Sequence, residues 1–233
     1  MTAAATAWWW LLDYAWAVTG LLRGVLRRTP PARYDDGDDA LPTVVLIPGV
    51  YERWAFLAPL ADALNDRGHR ILTVPALGAN RLPVLGGARH VREAVDTDRA
   101  HRYVLVGHSK GGLIGKAVLT EDDDGGEVLG LVALATPFSG SRYARFLPGR
   151  TLRGLSPRDA TIRALTDRAD VNGRVVSLLP DFDPHVPGER ALEGATIVRL
   201  PDAGHFRTVG RPATADAVAR AIAALSAPPS ASG

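Results

Sequence analysis

Six short runs of the chain are apolar with almost no polar alternation. They are TVVLI at 43–47, RILTV at 70–74, YVLV at 103–106, VLGLVALAT at 128–136, RVVSLL at 174–179 and ATIVRL at 195–200. Strands buried on both faces of a parallel sheet read this way, whereas strands with one wet face alternate. Between several of these runs, apolar residues recur at helical spacing. Leu57, Leu60, Ala61 and Leu64 share one face ahead of a stop at Gly68. Val91, Ala94 and Val95 share another, and Val218, Ala221, Ile222 and Leu225 a third. Alternating strand and helix predict an α/β domain with a parallel sheet and right-handed crossovers. Five runs end in proline, at Pro48, Pro75, Pro137, Pro180 and Pro201. Proline has no N–H for the ladder, so each is expected to mark where a strand leaves the sheet. The sixth ends in Gly107-His108-Ser109. Ligands of open parallel sheets bind beyond these C-terminal ends.

Two flanking segments depart from this pattern. From Ala3 to Leu22 the only formal charge is Asp13, with Trp8, Trp9 and Trp10 near the start and Arg23, Arg27 and Arg28 following. A helix of that length spans ~30 Å, the thickness of a bilayer core. Positive charge after the apolar run, rather than before it, argues against a secretory signal peptide and predicts a cytoplasmic remainder. Asp13 opposes insertion by roughly 2.5–3.5 kcal/mol. Three readings therefore stand side by side for residues 3–22: a spanning helix, one lying on the membrane surface, and one folded back over an apolar substrate mouth. Residues 29–42, TPPARYDDGDDALP, read as a solvated linker, since DDGDD lacks the ligand spacing of a calcium loop. The expected organisation is an apolar helix at 1–28, a linker at 29–42, one domain at 43–225 and a disordered tail at 226–233.

Composition narrows the function. A chain of 233 residues with 46% hydrophobic and 22% charged residues is a globular protein of one domain with appendages. Its 27 basic and 25 acidic residues leave a net charge of +2, too small for a protein that coats nucleic acid. That excess sits in residues 1–28, leaving the rest balanced. Without cysteine there is no disulfide, thiolate metal site or cysteine nucleophile. A Walker loop is also missing, because Ala117 follows Gly115-Lys116 and Lys110 stands where the first glycine belongs.

Gly107-His108-Ser109-Lys110-Gly111 is G-x-S-x-G, set after an apolar strand and before a helical segment. In that context the pentapeptide is a nucleophile elbow: a turn tight enough to need its glycines, which lifts the serine to a helix N-terminus. With ATPFSGS at 135–141, DPHVP at 183–187 and Gly204-His205, the sequence over 43–225 resembles the α/β-hydrolase superfamily, in particular its bacterial lipase- and esterase-like serine hydrolases. The resemblance implies a Ser–acid–His triad in chain order. It also implies a minimal six-stranded fold in the order 2-1-3-4-5-6, helices on both faces, and at most a small cap at 138–172. Arg142, Tyr143, Phe146 and Leu147 are candidates to line its mouth, or equally to form a plain surface loop.

Ser109 is the candidate nucleophile. His205 is the candidate base, since it follows the last strand at the correct sheet edge. His69 and His101 precede strands, His90 begins a helical segment, and His185 is a second choice. The resemblance of D-x-x-V-P to the family's acid loop makes Asp183 the candidate acid, ahead of Asp181. Asp202 is too close to His205 in the chain to reach back to its ring. The oxyanion hole is expected from the Lys110 amide and one amide of the loop after the first strand, Val50. Here Pro48-Gly49 replaces the His-Gly pair of many lipases. The Lys110 side chain is expected in solvent. The expected activity is cleavage of a small, lipophilic carboxylic ester, with no metal or organic cofactor. Acyl transfer or thioester cleavage by the same triad, and a non-catalytic membrane-tethered binding protein, are the alternatives.

Overall fold

The computed structural model describes residues 3–122, 126–141, 144, 149–186 and 192–227. Six parallel strands make one sheet: β1 (Thr43–Ile47), β2 (Ile71–Thr73), β3 (Tyr103–His108), β4 (Val128–Leu134), β5 (Val175–Phe182) and β6 (Thr196–Ala203). Their spatial order is β2-β1-β3-β4-β5-β6, as the resemblance implies. The apolar runs are buried on both faces because both are covered. Val45, Ile47, Leu105 and Leu131 face α3 (Val84–Thr97) and α4 (Lys110–Glu121) through Val91, Val95, Leu113 and Ile114. Val44, Leu46, Val104 and Val132 face α2 (Ala58–Asn65) and α7 (Pro212–Ser226) through Leu60, Leu64, Val218 and Ile222. Neighbouring strand residues thus feed opposite cores, the period-two rule with apolar partners on both sides.

Two of the five prolines do not end their strands. Pro180 and Pro201 lie inside β5 and β6, each of which runs two residues further. β4 pairs with β5 only as far as Leu178, so Pro180 sits where β5 has lost one neighbour, and Pro201 lies on an edge strand. Neither position needs a second ladder N–H. Segment 138–172 carries two short helices, α5 (Arg150–Arg153) and α6 (Ala160–Asp167). Arg142, Tyr143, Phe146 and Leu147 lie outside the described residues, as do 228–233 of the tail.

The flanks are tied to the domain. In segment 29–42, Tyr34 is buried and donates its hydroxyl to Asp62 (2.7 Å), while Arg33 spans Asp62 (2.6 Å) and Asp66 (2.7 Å). α1 (Ala3–Leu26) lies across the turns at Trp54–Leu57 and Arg207–Gly210. Gly20 lets it close on Phe56, whose ring would stand 2.7 Å from any Cβ there, and Trp16 meets the same ring edge-on at 5.0 Å. The Trp54 indole donates to the Arg28 carbonyl (3.2 Å). Among the described residues, no helix is both long and apolar enough to cross a membrane, which overturns the spanning reading of residues 3–22. The physical reason is the seam: Asp13, Ala17, Gly20 and Gly24 face the protein, a polar and small-residue stripe rather than an apolar one.

Candidate active site

β3 ends at His108 and α4 begins at Lys110, leaving Ser109 alone in the turn at φ 51° and ψ −118°. For a residue with a Cβ this is a strained conformation, typically costing on the order of 1–3 kcal/mol, and such strain concentrates at functional positions. The surroundings hold it there. The Ser109 amide donates to the Leu134 carbonyl (2.8 Å), pinning the turn to β4. A Cβ on Gly107 would lie 2.5 Å from the backbone of Gly111 and Gly112, and one on Gly111 only 2.0 Å from the Ile47 carbonyl. Those two glycines permit the turn and press it against the end of β1.

The loop after β6 brings His205 to the serine. Its Nε2 lies 2.9 Å from Ser109 Oγ, and its Nδ1 lies 2.7 Å from Asp183 Oδ2. A carboxylate on Nδ1 keeps the proton there, so Nε2 is left to accept from the serine hydroxyl. Asp183 follows β5 directly, and its Oδ1 accepts from the amides of His185 (2.8 Å) and Val186 (3.0 Å). Ser109 and His205 are buried, and the Asp183 side chain nearly so. Burial alone would push the His205 pKa down. The Asp183 charge and hydrogen bond, aided by Glu52 and Asp13, outweigh it and hold the ring's pKa above its ordinary value. For Asp183, burial pushes upward, but His205 and the two amides prevail and its pKa lies below the usual carboxylate range.

Among the described residues, no competing candidate has its side chain hydrogen-bonded into the Ser109–His205–Asp183 chain. Asp181 is exposed as the next-to-last residue of β5. The His185 ring lies 5.1 Å from the His205 ring and tilted 52° to it, within a cage of Trp10, Tyr14 and Phe206. Burial, and then the His205 charge, push its pKa down to about 4. His90 is paired with Glu93 in the middle of α3 rather than at a helix start, and the His69 ring meets the Pro42 carbonyl at the opposite edge of the sheet.

The two expected oxyanion amides belong to adjacent segments. Lys110 supplies the first amide of α4, one of the helix's unpaired N-terminal donors. Val50 sits in the turn after β1, which the Glu52 amide closes on the Gly49 carbonyl (3.2 Å). The Lys110 side chain is not in solvent as expected. It is buried, with Nζ donating to the Asn80 carbonyl (2.9 Å), Asn80 Oδ1 (3.0 Å) and the Leu82 carbonyl. Asn80 in turn donates to the Pro48 carbonyl (2.6 Å), so the lysine ties the turn at Ser109 to the loop after β1. Burial lowers its pKa to about 8. The sequence pattern misleads here because a basic residue at a helix start usually faces water, while this helix is buried from Lys110 to Leu119.

Three further residues escape a reading of the sequence. Asp13 of α1 is fully buried, and its carboxylate accepts from the amides of His205 (2.9 Å), Phe206 (2.8 Å) and Arg207 (2.9 Å). Glu52 is buried on the other side, accepting from the Gly49 amide (2.6 Å) and meeting His108 Nδ1 (2.9 Å). His108 donates its Nε2–H to the carbonyl of His205 (3.0 Å). The histidine loop is thus gripped from both ends of its backbone. The available signals were a lone acid in an apolar helix and a lone acid in the apolar stretch after β1.

No family model and no curated protein matches the chain. Solved structures do. The mouse alpha/beta hydrolase domain-containing protein 10 is similar over 81% of this chain and 90% of its own, at 16% identity and a TM-score of 0.56. Lipase BlEst2 of Bacillus licheniformis matches 79% of this chain and 94% of its own, at 16% identity and a TM-score of 0.58. A bacterial membrane phospholipase A matches 95% of both chains, at 16% identity and a TM-score of 0.59.

Proposed function

We propose that this chain, which has the α/β-hydrolase fold of those structures, is a serine hydrolase that cleaves carboxylic esters through an acyl-enzyme on Ser109. The observation that carries the reading is the unbroken chain from Ser109 Oγ through the His205 ring to Asp183, at 2.9 and 2.7 Å. His205 Nε2 takes the hydroxyl proton as Ser109 Oγ attacks the carbonyl carbon, while Asp183 stabilises the imidazolium that forms. Negative charge develops on the carbonyl oxygen, for which the amides of Lys110 and Val50 are the donors. His205 then passes the proton to the departing alkoxide. Water, deprotonated by the same ring, resolves the ester on Ser109. No step calls for a metal or organic cofactor. A lipase and a phospholipase among the similar structures support an ester substrate.

The test is a rate series on p-nitrophenyl esters of increasing acyl length, run with the wild type and Ser109→Ala. The wild type is expected to turn over at least one ester, and the variant none above background. Equal rates for the two proteins sink the mechanism.

A further inference from the structure

α1 turns its apolar side outward. Opposite the seam of Asp13, Ala17, Gly20 and Gly24 lie Trp8, Leu11, Val18, Leu22, Val25 and Leu26, each more than half exposed. Steps of three, four and seven residues place them in one stripe, ~27 Å long at 1.5 Å per residue. A helix on a soluble domain ordinarily shows the reverse arrangement, and an apolar patch of this extent marks an interaction surface. The only acid between Trp8 and Leu26 is Asp13, buried on the far side. At the C-terminal end of the stripe stand the exposed Arg27 and Arg28, with exposed Arg53 packed against Gly24.

We propose that this face docks on an anionic lipid bilayer, with α1 lying in the plane of the interface. The stripe enters the boundary between headgroups and acyl chains, and the arginines meet lipid phosphates. Charge complementarity selects the bilayer over a second copy of the chain. A second copy offers the same arginines and a stripe whose sole acid between Trp8 and Leu26, Asp13, is buried. The inner side of the same helix carries Asp13 to the His205 loop and packs Trp10 and Tyr14 on His185. Docking therefore sets the histidine loop one helix thickness, ~10 Å, from the lipid. Resting on the hydrolase reading above, this names the substrate class as esters that partition into bilayers.

The test is co-sedimentation of the full chain with vesicles of phosphatidylcholine alone and of an equal phosphatidylcholine–phosphatidylglycerol mixture. The protein is expected to pellet with the mixture and far less with phosphatidylcholine. Combining Leu11→Ser, Val18→Ser and Leu22→Ser is expected to weaken binding at least ~100-fold. Arg27→Ser with Arg28→Ser weakens it roughly thirtyfold on the mixture only. Thermal unfolding at the wild-type temperature shows that the variants are folded, and the arginine pair keeps the test decisive if the triple variant is not. Ser109→Ala is expected to bind as the wild type does, so loss of the hydrolase reading leaves the surface reading intact. Absence of pelleting with the mixture overturns the proposal, as does equal pelleting of the folded triple variant. So does a wild-type dimer that the triple variant dissociates without any vesicle binding.

Discussion

Ser109 and His205 meet at 2.9 Å, yet different physics holds each of them. The serine is placed by its own neighbourhood: a strand end, two glycines with no room for a Cβ, and the first turn of α4. The histidine is placed from afar. Asp13 reaches its amide across 192 residues of chain, His108 its carbonyl across 97, and Asp183 its ring across 22. A local turn is rebuilt whenever the strand and helix form. A loop held by buried carboxylates depends on charge, on pH and on the docking of a helix at the other end of the chain.

That contrast can be broken at several points. The largest effect is expected from Ser109→Ala, which should cost on the order of 10⁶ in kcat while leaving the fold intact, since it removes the proposed nucleophile and no support. Steady-state rates with circular dichroism of the same sample check this. Asp183→Asn is expected to cost about 10⁴, because the wrong histidine tautomer then faces the serine, whereas Asp181→Asn should change the rate by less than about twofold. If the Asp181 variant is the damaged one, the acid is misassigned.

Asp13→Ala separates the two modes of support. It leaves three buried amides without acceptors, so a stability loss of about 3 kcal/mol is expected from chemical denaturation. Displacement of the histidine should lower kcat roughly 100-fold with KM on a soluble short-chain ester little changed. An unchanged kcat would mean that α1 merely covers the loop. Glu52→Gln tests the other side and is expected to be milder, about 2 kcal/mol in stability, since the amide side chain still accepts from Gly49.

The smallest expected effect is a shift along the pH axis. His205 must be neutral to act as a base, and the nearby carboxylates outweigh burial to raise its pKa. Activity is therefore expected to fall on acidification with a midpoint above the ordinary histidine value of about 6.5. Asp183→Asn should move that midpoint downward. The stability linkage of Asp183 has the opposite sign. Its folded-state pKa is depressed, so its contribution is present above the unfolded carboxylate pKa and is lost as pH falls through the folded value. A rate midpoint below 6.5 in the wild type would remove the electrostatic half of the comparison.

Legibility followed the same division. G-x-S-x-G between an apolar strand and a helix is a local steric statement, and with those flanks it located the turn at residues 107–111. Six two-sided apolar runs were enough to foretell the parallel sheet. Lys110 was misread because nothing in its neighbours tells that Asn80 and Leu82 come within reach of its amine. Asp13 was read as an obstacle to membrane insertion rather than as an anchor. The amides it serves lie in another part of the chain and leave no mark on residues 3–22.

The amino-acid sequence by itself determined the strand pattern and the tight turn at Ser109, because short-range sterics and side-chain period write these into neighbouring positions. The acid at Asp183 and the Ser–acid–His order are what the resemblance implies. Only the tertiary structure decided how the histidine loop is held and which side of α1 faces the protein. A helix's docking face depends on the partners it meets. Here the partners are three backbone amides that come together only after the sheet has formed.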